Sequence, residues 1–175
     1  MDLRLRPYRD DDEAAAVAAH EVLLGDDFHF LLAWEPDVPW SRYVAALNGR
    51  RQGRGVAEDW VRDVQLVAEV HGQMVGRVSV RFELNDYLLE RGGHIGYGVL
   101  PAFRRRGYAT EMLRQALIVA RSEGVTRVLV TCDDDNLASA GVIERCRGVL
   151  ESVVPGESTS ASRAVQPGVR RYWIE

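Results

Sequence analysis

Apolar residues at Ala109, Met112, Leu113, Ala116, Leu117 and Ala120 follow the i, i+3, i+4, i+7 spacing that turns one face of a helix toward a core. Arg121 falls in the last turn, where a cation suits the negative end of the dipole, and Gly124 stands where a left-handed C-terminal residue is expected. Just upstream, His94-Ile95-Gly96-Tyr97-Gly98-Val99-Leu100 has strand composition apart from two glycines, and Pro101 ends it. Glycine inside a strand marks a bulge or a close approach by another backbone or a ligand. The pattern over 94–121 therefore predicts a strand, a basic glycine turn and a helix.

Similar patterning places the other elements. Leu3 and Leu5 alternate with Arg4 and Arg6, which predicts a half-buried strand ending at Pro7. Asp10 to Asp12 start a helix that Ala14 to Leu24 carries and Gly25 closes. Val64, Leu66, Ala68 and Val70 alternate with Gln65, Val67 and Glu69, and Met74 to Phe82 follows the His71-Gly72 turn, so this is a hairpin. Asn85 to Gly93 reads as a loop or a fraying strand extension. Val125 to Thr131 is nearly continuous in apolar and β-branched residues, as in a strand covered on both faces. In Asp133-Asp134-Asp135-Asn136 the acidic residues favour a helix N-terminus, with Asp135 or Asn136 as the cap. Leu150 to Val154 and Val169 to Ile174 are short strands, separated by a small, polar, proline-flanked loop over 155–168 that is either a lid or a disordered hairpin loop. The order β, α, α, β-hairpin, β, α, β, α, β, β implies a mixed sheet with helices on both faces.

Residues 26–60 break the pattern. Asp26, Asp27, Glu35 and Asp37 are interleaved with Phe28, Phe30, Trp34, Trp40 and Tyr43, and Pro36 and Pro39 interrupt any long element. A short helix from about Ser41 to Leu47 and a loop over Gly49 to Gly55 are expected. The aromatics read first as core, and alternatively as the wall of a pocket in which rings and carboxylates suit a cationic amine.

Composition narrows the classes. A chain of 175 residues with 46% hydrophobic residues suits one domain, 1–175, with an ordinary core. A net charge of −4 opposes nucleic-acid binding, which needs a broad basic surface. The start of the chain lacks the apolar core of a signal peptide, and no run approaches the roughly 20 apolar residues of a membrane span, so a cytoplasmic protein without membrane attachment is expected. Cys132 and Cys146 are too few for a disulfide framework and read as reduced core thiols, a catalytic thiol being the alternative. His20, His29, His71 and His94 show no ligand spacing, so no metal is expected.

The chemistry concentrates at the basic turn. A helix start offers unpaired N–H groups and a positive dipole end, a glycine there lets a phosphate reach the main chain, and three arginines add charge. Arg104-Arg105-Arg106-Gly107-Tyr108-Ala109 resembles the Q/R-x-x-G-x-G/A motif of the GNAT superfamily of acetyl-CoA-dependent N-acetyltransferases. The stretch from Arg127 to Cys132 resembles that family's next strand, and Asn136-Leu137-Ala138-Ser139 the start of the helix flanking the pantetheine arm. The ending Val142-Ile143-Glu144-Arg145-Cys146-Arg147-Gly148 is similar to poorly characterised members.

The resemblance implies an α/β (α+β) fold with a mixed, mostly antiparallel twisted sheet of about six to seven strands. It also implies acetyl transfer from acetyl-CoA to a primary amine of a small molecule or peptide. A non-catalytic acyl-CoA-binding sensor or interaction module is the alternative, and a homodimer stays open. By the same resemblance the cofactor would lie on Tyr97, Gly98 and Val99, on Arg104, Arg105, Arg106, Gly107, Tyr108, Ala109 and Thr110, and on Asn136 and Ser139, while the segment 26–60 would form the acceptor wall. His94 and Glu83 are candidates for the base that an amine with pKa near 10.4 requires, and a water chain can replace both. Many members place a tyrosine seven residues after the asparagine as the acid for the departing thiolate. Ile143 stands there, which leaves Tyr97, Ser139 or water.

Overall fold

A computed structural model describes residues 2–156 and 167–175. Most of the 155–168 loop, with its lid expectation, lies outside the described residues. Among the described residues seven strands form two antiparallel sheets. The first has the order β1 (Leu3–Arg6), β2 (Asp63–Val70), β3 (Gln73–Arg81) and β4 (Ile95–Val99). The second places β7 (Val169–Ile174) between β5 (Val128–Asp133) and β6 (Val149–Val154). The helices are α1 (Glu13–Leu24), α2 (Trp40–Arg51), α3 (Tyr108–Ser122) and α4 (Leu137–Arg145).

Alternation along β2 builds a core on each face of the first sheet. Leu66 and Ala68 face a cluster that includes Met112, Leu113 and Ala116 of α3, whereas Val67 faces Ala16 and Leu23 of α1 and Tyr43 and Leu47 of α2. The hairpin turn is tight because His71 (φ 50°) and Gly72 (φ 78°) are both left-handed, as a two-residue turn matched to strand twist requires.

The polar residues of β2 are covered as well. Asp63 pairs with Arg50 of α2 at 2.9 Å. Glu69 is only 2% exposed and meets Arg6 at 2.5 Å, Arg4 at 2.9 Å and Arg9 at 3.7 Å. Arg6 also donates to both oxygens of Asp12, at 2.7 and 2.8 Å. These ion pairs fasten β1 and the turn before α1 to β2.

Three boundaries differ from the sequence reading. Helix α2 continues to Arg51, because the Arg50–Asp63 pair draws its last turn onto β2, so only the end of the Gly49–Gly55 stretch is loop. Val125 belongs to the end of α3: its N–H donates to Ala120 O at 3.0 Å across left-handed Gly124 (φ 90°), a helix-closing pattern that uses an apolar residue just past the glycine. The strand therefore starts at Val128. Residues Leu88–Gly92 form a wide helical turn rather than a strand extension.

The two sheets meet at His94. Its N–H donates to Leu129 O at 2.7 Å, and its Nδ1 accepts from Leu129 N–H at 2.9 Å. Beyond this join, no ladder pairs β4 with β5 among the described residues. A cleft therefore opens between the strands.

Burial pushes the His94 imidazole down to about 4 from its ordinary 6.5. The folded state thus holds it neutral, so its contribution to stability is complete above pH 6.5 and is lost as pH falls toward 4. Thermal unfolding should show a decline in stability across this window that His94→Asn flattens.

Candidate active site

The basic turn enters α3 through two left-handed residues, Arg105 (φ 63°) and Gly107 (φ 79°). A non-glycine residue there costs conformational energy and marks a constrained, often functional, turn. Gly107 is the N-cap of α3, and no side chain caps its N–H groups, so the first amides of the helix are free for an anion. Arg104 is held by Val99 O, to which its Nε donates at 3.0 Å, and by the Asp26 carboxylate.

A cavity of about 990 Å³ runs from this turn, between the starts of α3 and α4, to β4. Tyr97, Gly98, Val99, Arg104, Arg105, Gly107, Tyr108, Ala109, Thr110, Asn136 and Ser139 all line it. Arg106 does not. Its guanidinium donates to Ala102 O at 3.1 Å and lies over the Phe103 ring, so it braces the turn from behind.

Asn136 is the N-cap of α4, accepting from Ser139 N–H at 3.0 Å. Of the two caps that the sequence allows, this one is used because its carbonyl oxygen reaches the third residue of the helix. The cap also fixes Ser139, whose Oγ lies 2.8 Å from Tyr97 Oη. Burial raises the Tyr97 phenol well above its ordinary value, and the Ser139 bond only partly offsets this. Tyr97 is therefore a neutral hydroxyl that can donate.

A second cavity, of about 210 Å³, opens on the other side of these residues between β4 and β5. Arg91, Thr131, Cys132 and Asp133 contribute to its wall, and Phe28, Tyr97, Asn136 and Ser139 line both cavities. The two spaces thus meet at a four-residue neck. Burial pushes the Cys132 thiol up to about 11, so it carries no thiolate near neutral pH. The Asp133 carboxyl is raised by partial burial and then by Asp135 and Asp27, against the opposing Arg91.

His94 and Glu83 line neither cavity. His94 is 7% exposed with Nδ1 occupied by the Leu129 amide, so the imidazole serves the join between the sheets. Glu83 is exposed beyond the end of β3 and pairs with Arg62 at 3.0 Å. Neither is placed to take a proton at the neck. The aromatics of residues 26–60 divide: Phe30, Trp40 and Tyr43 are core, and only Phe28 reaches the cavities. Sequence reasoning missed Phe28 and Asp133 as individuals. The signal for Asp133 was its place as the acidic residue that ends a largely buried strand.

The sequence from residue 2 to 149 matches the model of the acetyltransferase (GNAT) domain. Solved structures share the fold. The yncA protein of Salmonella typhimurium, determined with its cofactor acetyl-CoA, is 16% identical at TM-score 0.66, covering 100% of this chain and 94% of that one. An N-acetyltransferase from Staphylococcus aureus Mu50 is 12% identical at TM-score 0.67, covering 100% and 99%. The Salmonella typhimurium acetyl transferase that modifies the N-terminal serine of ribosomal protein L7/L12 is 18% identical at TM-score 0.65, covering 99% and 95%. No helix among the described residues is long and apolar enough to cross a membrane. With the glycine turn, the split sheets and the domain match in agreement, the chain belongs to the GNAT acetyltransferase family and is an enzyme of that class.

Proposed function

We propose that this protein moves an acetyl group from acetyl-CoA to a primary amine of a small molecule or peptide, and that the amine is cationic or lies beside a positive group. The neck joining a large basic cavity to a small one in which the Asp133 carboxylate stands with Arg91 carries this reading. One cavity suits a phosphorylated donor, the other an ammonium acceptor, and the reacting atoms meet between them.

The fit to acetyl-CoA rests on the free amides and left-handed glycine at the start of α3, with Arg104 and Arg105 beside them; each charge-assisted hydrogen bond to a phosphate is worth about 1.5–3 kcal/mol. Acetyl-CoA supplies the activated thioester. The chain supplies the rest. Asn136 borders the cavity where pantetheine amides need partners, and the Val99 N–H is the donor that polarises the carbonyl. Tyr97, protonated and bonded to Ser139, is the proton donor for the departing thiolate. Ile143 takes no part, being fully buried in the core.

On the acceptor side Asp133 is the only carboxylate among the described residues lining the smaller cavity. It attracts an ammonium and takes its proton directly or through water, a role worth about 10²–10⁴-fold. The likeness to an acetyl transferase that modifies an N-terminal serine supports a peptide amine as one candidate.

The test is thiol release from acetyl-CoA with polyamines, aminoglycosides, lysine peptides and peptides with a free N-terminal serine. Turnover is expected with the cationic amines, with Asp133→Asn lowering kcat/KM at least about 100-fold while coenzyme A affinity is unchanged. Turnover confined to neutral or anionic amines would refute the acceptor class. Absence of thiol release with every amine would refute the transfer.

A further inference from the structure

Phe28 stands at the neck with unusual rigidity. It lines both cavities, and a methyl group added at Gly98 would come within 2.5–2.9 Å of three of its ring atoms. The ring edge therefore rests directly on the β4 backbone, a close approach that only glycine allows. From beneath, the Arg77 guanidinium lies 4.6 Å from the ring centroid, and the same side chain donates to Phe30 O at 2.9 Å and His29 O at 2.6 Å. Arg77 is 3% exposed. One buried cation thus holds three consecutive residues, and the backbone behind the ring leaves it no room to retreat.

The other residues of the neck, Tyr97, Asn136 and Ser139, present polar groups. Phe28 adds only apolar surface, so it is the wall that an alkyl chain on the reacting carbonyl would meet. We infer that Phe28 sets the acyl-chain limit of this enzyme: its fixed ring admits an acetyl group and excludes chains longer by two methylenes. The inference rests on the acetyl-CoA reading above and adds the donor specificity that the reading leaves open.

Calorimetric binding of acetyl-CoA, butyryl-CoA and unacylated coenzyme A tests it without an acceptor amine. Wild type should bind acetyl-CoA at least about tenfold more tightly than butyryl-CoA, the scale on which a shaped pocket discriminates methylenes. In Phe28→Ala the two should agree within about threefold. Phe28→Leu, which keeps an apolar filling if the alanine variant fails to fold, should fall between. Equal wild-type affinities, or a wild-type ratio retained in the folded variants, would overturn the inference. Failure of wild type to bind coenzyme A would instead overturn the acetyl-CoA reading beneath it.

Discussion

Gly107→Trp should lower coenzyme A affinity at least about 100-fold, equivalent to losing one or two charge-assisted hydrogen bonds of about 1.5–3 kcal/mol each. Two physical effects act together. The backbone at position 107 is left-handed, which an L side chain adopts at a cost, and an indole there covers the amides at the start of α3. Gly107→Ala separates them, since it carries the backbone cost with little bulk and should bind with intermediate affinity. Isothermal titration at two salt concentrations is the measurement, because wild-type affinity should rise at low salt as screening of the arginines weakens. If wild type, the alanine variant and the tryptophan variant bind equally, the phosphates lie elsewhere.

The largest effect on stability is expected at Glu69, far from the cavities. Glu69→Ala should cost about 3–5 kcal/mol and lower Tm by roughly 10 °C or more. The loss does not come from a favourable surface pair. Removing the carboxylate strands the buried Arg6 beside Asp12 alone and leaves Arg4 and Arg9 without their shared acceptor. The hydrogen bond from Arg6 holds the Glu69 carboxyl below its ordinary value, against the desolvation that works the other way. A depressed carboxylate contributes fully above the ordinary value near 4.5 and loses that contribution as pH falls through the folded value. Chemical denaturation should accordingly show a smaller decline below pH 4.5 in Glu69→Gln than in wild type. A stable Glu69→Ala protein with unchanged denaturation midpoint would remove the ion cluster from the account of this fold.

Periodicity made the elements legible wherever one face is apolar. Helix α3 and the hairpin of β2 and β3 follow from spacing alone, since a helix face and a strand face each repeat in a way that no loop imitates. What alternation cannot reveal is whether a polar face is wet. Gln65 and Glu69 read as the outer side of a strand, yet both are buried, because arginines from β1 pair with Glu69 while Gln65 donates to Asp63, which Arg50 of α2 covers. Position 125 misled for a related reason: a valine after Gly124 looks the same whether it opens a strand or closes a helix. The basic turn was legible because its residues are contiguous with the start of α3. The acceptor side was not, because Phe28, Asp133 and Arg91 come together only through the splaying of β4 from β5. His94 shows the limit of reasoning from chemical type, since an imidazole suited to proton transfer is spent on the hydrogen bonds that join two sheets.

On the proposed function, the pairing of Asp26 with Arg104 makes donor and acceptor specificity hard to engineer separately. Asp26 stands two residues before Phe28 in the segment that would be exchanged to graft a new acceptor preference, while Arg104 belongs to the turn proposed to receive the phosphates. Any replacement segment lacking a carboxylate at that position frees an arginine in the wall of the larger cavity, adding to its positive field. A library varied only over this loop would therefore be selected on two properties at once. Separating them requires keeping the aspartate constant while its neighbours change.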